Sequence, residues 1–426
     1  MAQFLIEGGH PLRGTVNPRG NKNSVLPIIA ATLLTDEQVT LTNVPNITDV
    51  RTMLDILEEL GASVERNMES HTVTICCKNV SSYHLEVALT QRLRASIFFI
   101  GPLLAKFGQV EIGQPGGCQI GQRQIDTHFL VFEKLGARVE CSEVIKIFAP
   151  KLQSTFVWSD EMSVSATGNF ILTCVLLDGQ ATLYNAASEP HVQDLCDILI
   201  KMGAVIEGAG TNKITITGTN TLHGVHHSII PDHVEIGSFI AAGVVTHGEI
   251  TIKNVHVQHY DQILYQFSKL GVNVQLQNDD LFLPGDQSLE IKKYSDQHMG
   301  KIECLPWPGF PADLLQITLV MATQCNGKIL IHDKLFESRL FFVDKLIRMG
   351  AEVYFSDPHR AIIFGPKKLK GKFIESPDIR AGMALVVAAL AASGISTIDN
   401  VQFIQRGYEA LDFRLSELGA VIEEKE

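Results

Sequence analysis

The chain has 426 residues, 45% of them hydrophobic, with 35 Lys and Arg against 47 Asp and Glu for a formal net charge of −12. That balance supports large buried cores and excludes a disordered or collagen-like chain. The negative charge excludes a general nucleic-acid or anionic-membrane surface, so no nucleic-acid partner is expected and any bound anion needs a local cluster of cations. The longest apolar stretches, 239–246 and 382–393, fall short of the roughly 18 to 20 residues of a transmembrane helix, and Met1-Ala2-Gln3-Phe4 opens no secretory signal. Neither membrane insertion nor export is expected, and a cytoplasmic location follows. Eight cysteines without CxxC spacing read as reduced thiols and not as bridges or a zinc site. Nothing in the sequence specifies an oligomeric state.

In chain order, Lys22 and Asn23 lead an apolar segment to Leu34, and an amphipathic segment then ends at Gly61. The succession recurs. Arg94 leads 95–105, with Gly136 after it; Ser163 to Thr167 lead 169–177, with Gly203 after it. Asp232 and Glu235 lead 237–245 before Gly271, Asp313 leads 314–322 before Gly350, and Arg380 leads 381–392 before Gly419. Six units of about 70 residues account for the chain, each long enough for two helices and several strands. The first helix of each unit is apolar nearly all round and must be buried on every side. The second is amphipathic, and its glycine supplies the left-handed residue that follows a helix. The fifth unit shows the order: apolar 313–323, a strand at 328–331, a helix at 341–349, Gly350, then a strand from Ala351. The fold predicted is α/β, with six βαβαββ-type repeats, three per domain. Crossings near 20–23 and 231–232 give one domain of residues 22–231 and another of 1–21 with 232–426, with a cleft between them.

The residues leading the buried helices gather at exposed helix ends. Asp or Ser there is ordinary capping, whereas Lys22, Arg94 and Arg380 oppose the positive helix N-terminus. An anion shared between side chain and helix end would stabilise each of them, and a pair with a neighbouring acid is the plainer alternative. The segment 113–126, GQPGGCQIGQRQID, presents Cys118 and Arg123 on a Gly-rich loop. A thiol beside a cation there is either reactive or a spectator. Arg339 follows Glu337-Ser338, and Arg406 precedes Gly407-Tyr408. Together Lys22, Arg94, Arg123, Arg339, Arg380 and Arg406 form a candidate anion cluster, with Asp232, Glu235 and Asp313 as carboxylates. A carboxylate among guanidiniums stays ionised and can take a hydroxyl proton, which suits transfer chemistry on a small, highly anionic substrate.

Eight motifs in order carry a family resemblance. They are Gly20-Asn21-Lys22-Asn23 with Leu26-Pro27; Arg94-Ala95-Ser96; Pro115-Gly116-Gly117-Cys118 with Ile120-Gly121-Gln122-Arg123; Asn185-Ala186-Ala187 with Glu189-Pro190; Pro231-Asp232 with Glu235; Phe310-Pro311 with Asp313; Asp378-Ile379-Arg380-Ala381; and Arg406-Gly407-Tyr408-Glu409. Over essentially its whole length the chain resembles the UDP-N-acetylglucosamine 1-carboxyvinyltransferases, bacterial enolpyruvyl transferases related to the shikimate-pathway enzyme. The resemblance implies an inside-out α/β barrel in each domain and domain closure on substrate. It implies transfer of the enolpyruvyl group of phosphoenolpyruvate to the 3-hydroxyl of UDP-N-acetylglucosamine, with release of phosphate and with no metal or organic cofactor.

The resemblance also implies roles. Cys118, Asp313, Lys22 and Arg406 would be catalytic: Asp313 takes the hydroxyl proton, Cys118 is the acid or the product-release residue, and its thiolate is the target of fosfomycin. Lys22, Arg123 and Arg406 would hold phosphoenolpyruvate and its phosphate, Arg339 and Arg380 its carboxylate, and Arg94 the phosphate side. Asn23 and Glu189 would orient the sugar; Arg123, Gln124, Ile125, Asp126 and His128, with Ser163 and Val164, would contact uridine and diphosphate; Asp232, Glu235 and Ser338 complete the binding set. The chain departs from the family at Glu161, Ser165, Ser188, His233 and Gln405, where the family commonly has Lys, Gly, Arg, Arg and Asp, and at Ser338, where Asn is common. Lost cations at 188 and 233 and an acid at 161 weaken the diphosphate side, so a paralogue acting on another nucleotide sugar or nucleoside is the alternative. A silent repeat scaffold would have no reason to line helix ends with cations.

Overall fold

The structure is a computed structural model and describes residues 2–116, 125–292 and 299–425. The described residues form six small sheets, five of four strands and one of three. The fifth sheet shows the common plan. Gly300–Glu303 pairs in parallel with Gly327–His332, that strand pairs antiparallel with Arg360–Gly365, and Glu352–Asp357 closes the far edge against it. Between the parallel strands the chain runs through a buried helix, and before the closing hairpin through an amphipathic one, which is the βαβαββ order. The three-stranded sheet keeps only a single bridge, His84 with Glu111, where its parallel edge strand would lie.

All six repeat glycines have positive φ: 104° at Gly61, 91° at Gly136, 110° at Gly203, 82° at Gly271, 106° at Gly350 and 94° at Gly419. A Cβ is disfavoured in that left-handed region, so one residue type marks the end of the second helix in every repeat.

Two compact units arise from the six repeats: residues 2–19 with 231–425, and residues 20–116 with 125–230. The crossings thus fall at 19/20 and 230/231. Hydrogen bonds place them there: the Asn21 N–H reaches the Ile230 carbonyl within one unit, and the Asp232 N–H reaches the Arg19 carbonyl within the other. Strands borrowed across long sequence distances close each unit. His226–Ser228 supplies the parallel edge of the sheet built on Val39–Thr42, and Arg13–Val16 does the same for Glu249–Ile252. Gln3–Glu7 sits between Ile395–Asp399 and Val421–Lys425 in the last sheet.

In the unit of residues 231–425, the helices His233–Val245, Leu315–Gln324 and Ile379–Ala391 pack against one another with the sheets outside them, an inside-out arrangement. Every residue of His233–Val245 is buried. Each large aliphatic side chain so buried contributes about 1.5–3 kcal/mol, and close approach is allowed by Gly237, where an added Cβ would lie 2.6 Å from Leu314 Cδ2. Ser238 and Thr318 return their hydroxyls to the carbonyls four residues back, at 2.7 Å each, so these two buried hydroxyls are satisfied within their own helices. The other unit repeats the plan with Lys22–Ala31, Ile100–Phe107 and Val164–Cys174. Several helix starts differ from the sequence reading. Val164–Cys174 begins five residues earlier than Asn169, because the Ser163 side chain caps it by accepting from the Ala166 N–H at 3.4 Å. The segments before Ile100 and Leu315 enter as 3-10 turns, Arg94–Phe99 and Ala312–Leu314. Among the described residues no helix is long and apolar enough to cross a membrane.

Candidate active site

In the unit of residues 231–425, Asp313 lies in the 3-10 turn after Pro311, Arg339 opens the 3-10 turn Arg339–Phe342, and Arg380 is the second residue of Ile379–Ala391. Packing of the helices brings the three side chains together. Asp313 Oδ1 accepts from Arg339 Nη1 at 2.7 Å, and Oδ2 accepts from Arg380 Nε at 3.1 Å with Nη2 at 3.0 Å. The Asp313 side chain is 26% exposed against 4% for Arg339 and 9% for Arg380, so the carboxylate is the most accessible of the three. Behind it, Arg380 Nη1 donates to the Tyr408 hydroxyl at 3.2 Å, and that hydroxyl meets Ser238 Oγ at 2.9 Å. Burial opposes the charge of Arg380, but Asp313 and then Tyr408 outweigh it and hold the guanidinium above its ordinary value. Burial likewise pushes the Tyr408 phenol up, against the pull of Arg380, so it stays a neutral donor and acceptor. The helix end that Arg380 opposes is capped by Asp378, which accepts from the N–H groups of Arg380 and Ala381 at 2.8 and 2.9 Å.

Asp232 is the cap of His233–Val245, its Oδ1 2.8 Å from the Val234 N–H. Glu235 is committed to Arg414, at 2.5 and 3.1 Å, and also accepts from the Arg19 N–H at 2.7 Å. Ser338 immediately precedes Arg339 and is half-buried, as is Arg406 in the turn after Val401–Ile404. Glu409 pairs with Arg19 Nε at 3.1 Å.

In the unit of residues 20–230, Lys22 is the first residue of its helix, and its Nζ lies 2.6 Å from Asp49 Oδ2 with both side chains nearly covered. Asn23 is half-buried beside it, and Ser24 donates to Asp194. Glu189 immediately precedes Pro190–Lys201, with no side-chain cap bond to that helix, and Val164 follows the capping Ser163. Ile125 precedes the exposed Asp126 at the start of Asp126–Lys134. His128 is buried in the same helix. Its partners fix its tautomer: Asn169 Oδ1 takes the Gly101 N–H at 3.1 Å, so Asn169 Nδ2 donates to the Ile97 carbonyl and to His128 Nδ1, 3.0 Å each. His128 Nε2 therefore donates to Ser165 Oγ at 2.9 Å. Desolvation, with Arg94 adding repulsion, lowers the His128 pKa to about 3.

A matching family model, described as EPSP synthase (3-phosphoshikimate 1-carboxyvinyltransferase), spans residues 6–414. The chain belongs to the EPSP synthase family. Within this family it is 49% identical over 420 residues to a protein of Bradyrhizobium diazoefficiens named UDP-N-acetylglucosamine 1-carboxyvinyltransferase, covering 99% of this chain and 97% of that one. A protein of the same name from Treponema denticola is 46% identical over 426 residues, all of both chains. Among solved structures, the enolpyruvyl transferase NikO from Streptomyces tendae shares the fold with a TM-score of 0.89 at 23% identity, covering 100% of this chain and 99% of that one. EPSP synthase from Acinetobacter baumannii does so at 0.77 and 17%, with both chains fully covered.

Of the site residues that the sequence predicts for this EPSP synthase family member, Cys118, Arg123 and Gln124 lie outside the described residues. Asp313, Arg339 and Arg380 are brought into direct contact. The cations Lys22 and Arg380 carry protein carboxylates, Asp49 and Asp313, as the plainer reading of each allowed. Asp49 was missed because an acid in the first turn of Thr48–Glu59 reads as a helix-start charge. The positions that depart from the family have partners within this chain. Glu161 accepts from Thr127 Oγ1 at 3.1 Å, Ser165 Oγ accepts the hydrogen bond of His128 Nε2, and Gln405 reaches both oxygens of Glu424 at 2.9 and 3.0 Å. His233 is buried with its ring centroid 6.2 Å from that of Trp307. Of the other cysteines, burial pushes the thiols of Cys77 up to about 11 and of Cys196, Cys304 and Cys325 up to about 12, which suits inert core residues.

The pH dependence of His128 gives a first test. Its folded pKa lies below the unfolded value of about 6.5, so the unfolded state binds the extra proton and stability falls as pH drops through 6.5 toward 3. Between pH 8 and pH 5 this group is expected to remove about 2 kcal/mol, visible as a fall in urea midpoint that His128→Gln lacks. Equal falls in both proteins would mean that His128 titrates normally.

Proposed function

We propose that this chain transfers the enolpyruvyl group of phosphoenolpyruvate to the 3-hydroxyl of UDP-N-acetylglucosamine, releasing phosphate. The observation that carries the reading is Asp313 held between Arg339 and Arg380 with its carboxylate still accessible. The names of the relatives at 49% and 46% identity support the acceptor.

The chemistry divides among these residues. Asp313 takes the proton of the sugar hydroxyl as its oxygen bonds to C2 of phosphoenolpyruvate, while an acid delivers a proton to C3. Loss of phosphate from C2 and of a proton from C3 then regenerates the double bond as an enol ether. Lys22, Arg123 and Arg406 hold the phosphate through addition and departure, with Arg94 on the same side, and Arg339 and Arg380 hold the carboxylate. Cys118 serves as the acid or in product release. Asn23 and Glu189 orient the sugar, and the segments around Asp126 and Ser163 contact uridine and diphosphate, where neutral His128 holds Ser165 in place and adds no charge.

The test is phosphate release from phosphoenolpyruvate with a panel of acceptors. Release that depends on UDP-N-acetylglucosamine, and is weaker with other nucleotide sugars and nucleosides, is expected. Phosphoenolpyruvate binding without release on this acceptor, with release on another, would move the acceptor to the alternative and make Glu161, Ser188 and His233 its determinants.

A further inference from the structure

We propose that Asp333 is a positioning residue for this reaction, the second counter-charge of Arg339, which retains that guanidinium while Asp313 loses its own charge by taking the hydroxyl proton. The inference rests on the reading of Asp313 as the base.

The Arg339 side chain is 4% exposed and Asp333 is fully buried, and they face each other with Nε 4.0 Å from Oδ2. Among the described residues neither of those two atoms has a hydrogen-bond partner. They are buried polar atoms of opposite charge about 1 Å beyond bonding distance. Everything else around them is fixed. Asp333 Oδ1 accepts from the N–H groups of Leu335 and Phe336 at 2.9 Å each and from the Cys304 thiol at 3.1 Å. Burial and the adjacent Asp333 push that thiol up to about 12, so it remains a donor. The Phe336 ring lies 4.3 Å from the Arg339 guanidinium, and Gln316 Nε2 holds the Arg339 carbonyl at 2.9 Å. The chain from 333 to 339 thus builds a socket for its own arginine.

A buried guanidinium that loses its counter-charge is strongly destabilised. Asp313 is the close partner of Arg339, and in the transfer it becomes neutral. A short rotation toward Asp333 replaces the lost pairing at Nε while Nη1 stays near Asp313. The charged groups seen against Asp313 are Arg339 and Arg380, with Asp232 and the neutral Tyr408 acting on Arg380 from behind. On the Asp333 side they are the Cys304 thiol, Lys334, whose N–H meets that sulfur at 3.3 Å, and the His359 ring on the Asp333 carbonyl at 2.8 Å.

Asp333→Asn keeps an acceptor for the loop and removes only the charge. With Asp333 neutral, Arg339 pairs harder with Asp313, which stays ionised to lower pH and becomes a weaker base. The expected result is a kcat about tenfold lower, an unchanged KM for UDP-N-acetylglucosamine, an acidic limb of the kcat profile displaced to lower pH, and recovery in Asp333→Glu. An unmoved limb overturns the assignment, whether or not kcat falls. If the single variant does not fold, the double variant Asp333→Asn with Arg339→Gln is compared with Arg339→Gln alone. Matching profiles support the coupling, and a further loss overturns it. Asp313→Asn measured alongside separates the two readings: a wild-type rate there overturns the base and this inference with it, whereas inactive Asp313→Asn with an unmoved limb in Asp333→Asn overturns only the role of Asp333.

Discussion

Asp313→Asn is expected to lower kcat by about a thousandfold with the fold retained, because a general base contributes about 10² to 10⁴ and the amide takes no proton. The substitution keeps the shape of the side chain and an oxygen for Arg339 Nη1, and Arg339 retains Asp333. Loss of rate with normal circular dichroism and retained binding of UDP-N-acetylglucosamine would place the effect on the chemical step. Turnover at the wild-type rate would remove Asp313 from the mechanism.

Arg414→Ala has the largest expected effect on stability. Its guanidinium binds both oxygens of Glu235, donates to the Asn17 carbonyl at 2.8 Å and lies 4.9 Å from the centroid of the Phe239 ring, with both charged side chains 5% exposed or less. Burial opposes the charge of Arg414, and Glu235 more than restores it. Removing one member of a buried pair strands the other, so Arg414→Ala and Glu235→Gln are each expected to destabilise by about 3 kcal/mol or more. The double variant is expected to fall well short of the sum, as judged by urea midpoints. Additive losses would show that the two side chains act separately. The pair also explains why Glu235, which the sequence placed in the binding set, serves here as a tie between the start of its helix and Arg414 and Arg19.

The repeat was legible because its signals are local. A glycine with positive φ after each amphipathic helix and an apolar helix without a polar face are both written within a dozen residues. The borrowed strands were not. His226–Ser228 pairs in parallel with a strand at 40–42, and nothing in a three-residue segment names a partner so far away. The same division holds at the site. Asp313 and Arg380 stood out as charges at the mouths of buried segments and Arg339 as a loop cation after Glu337-Ser338, but Asp49, Asp333 and Arg414 looked like ordinary charged residues of a helix start, a strand end and a surface helix. Their roles depend on which side chain packing brings opposite them. The tautomer of His128 was equally unreadable, since it is set by Asn169 from another helix.

The most direct measurement is nuclear magnetic resonance of the purified nucleotide product formed from phosphoenolpyruvate labelled at C2 and UDP-N-acetylglucosamine. A through-bond correlation between the labelled enol-ether carbon and H3 of the sugar, with one phosphate released per product, is the predicted result. Unmodified UDP-N-acetylglucosamine, or a correlation to a different sugar proton, would contradict the account.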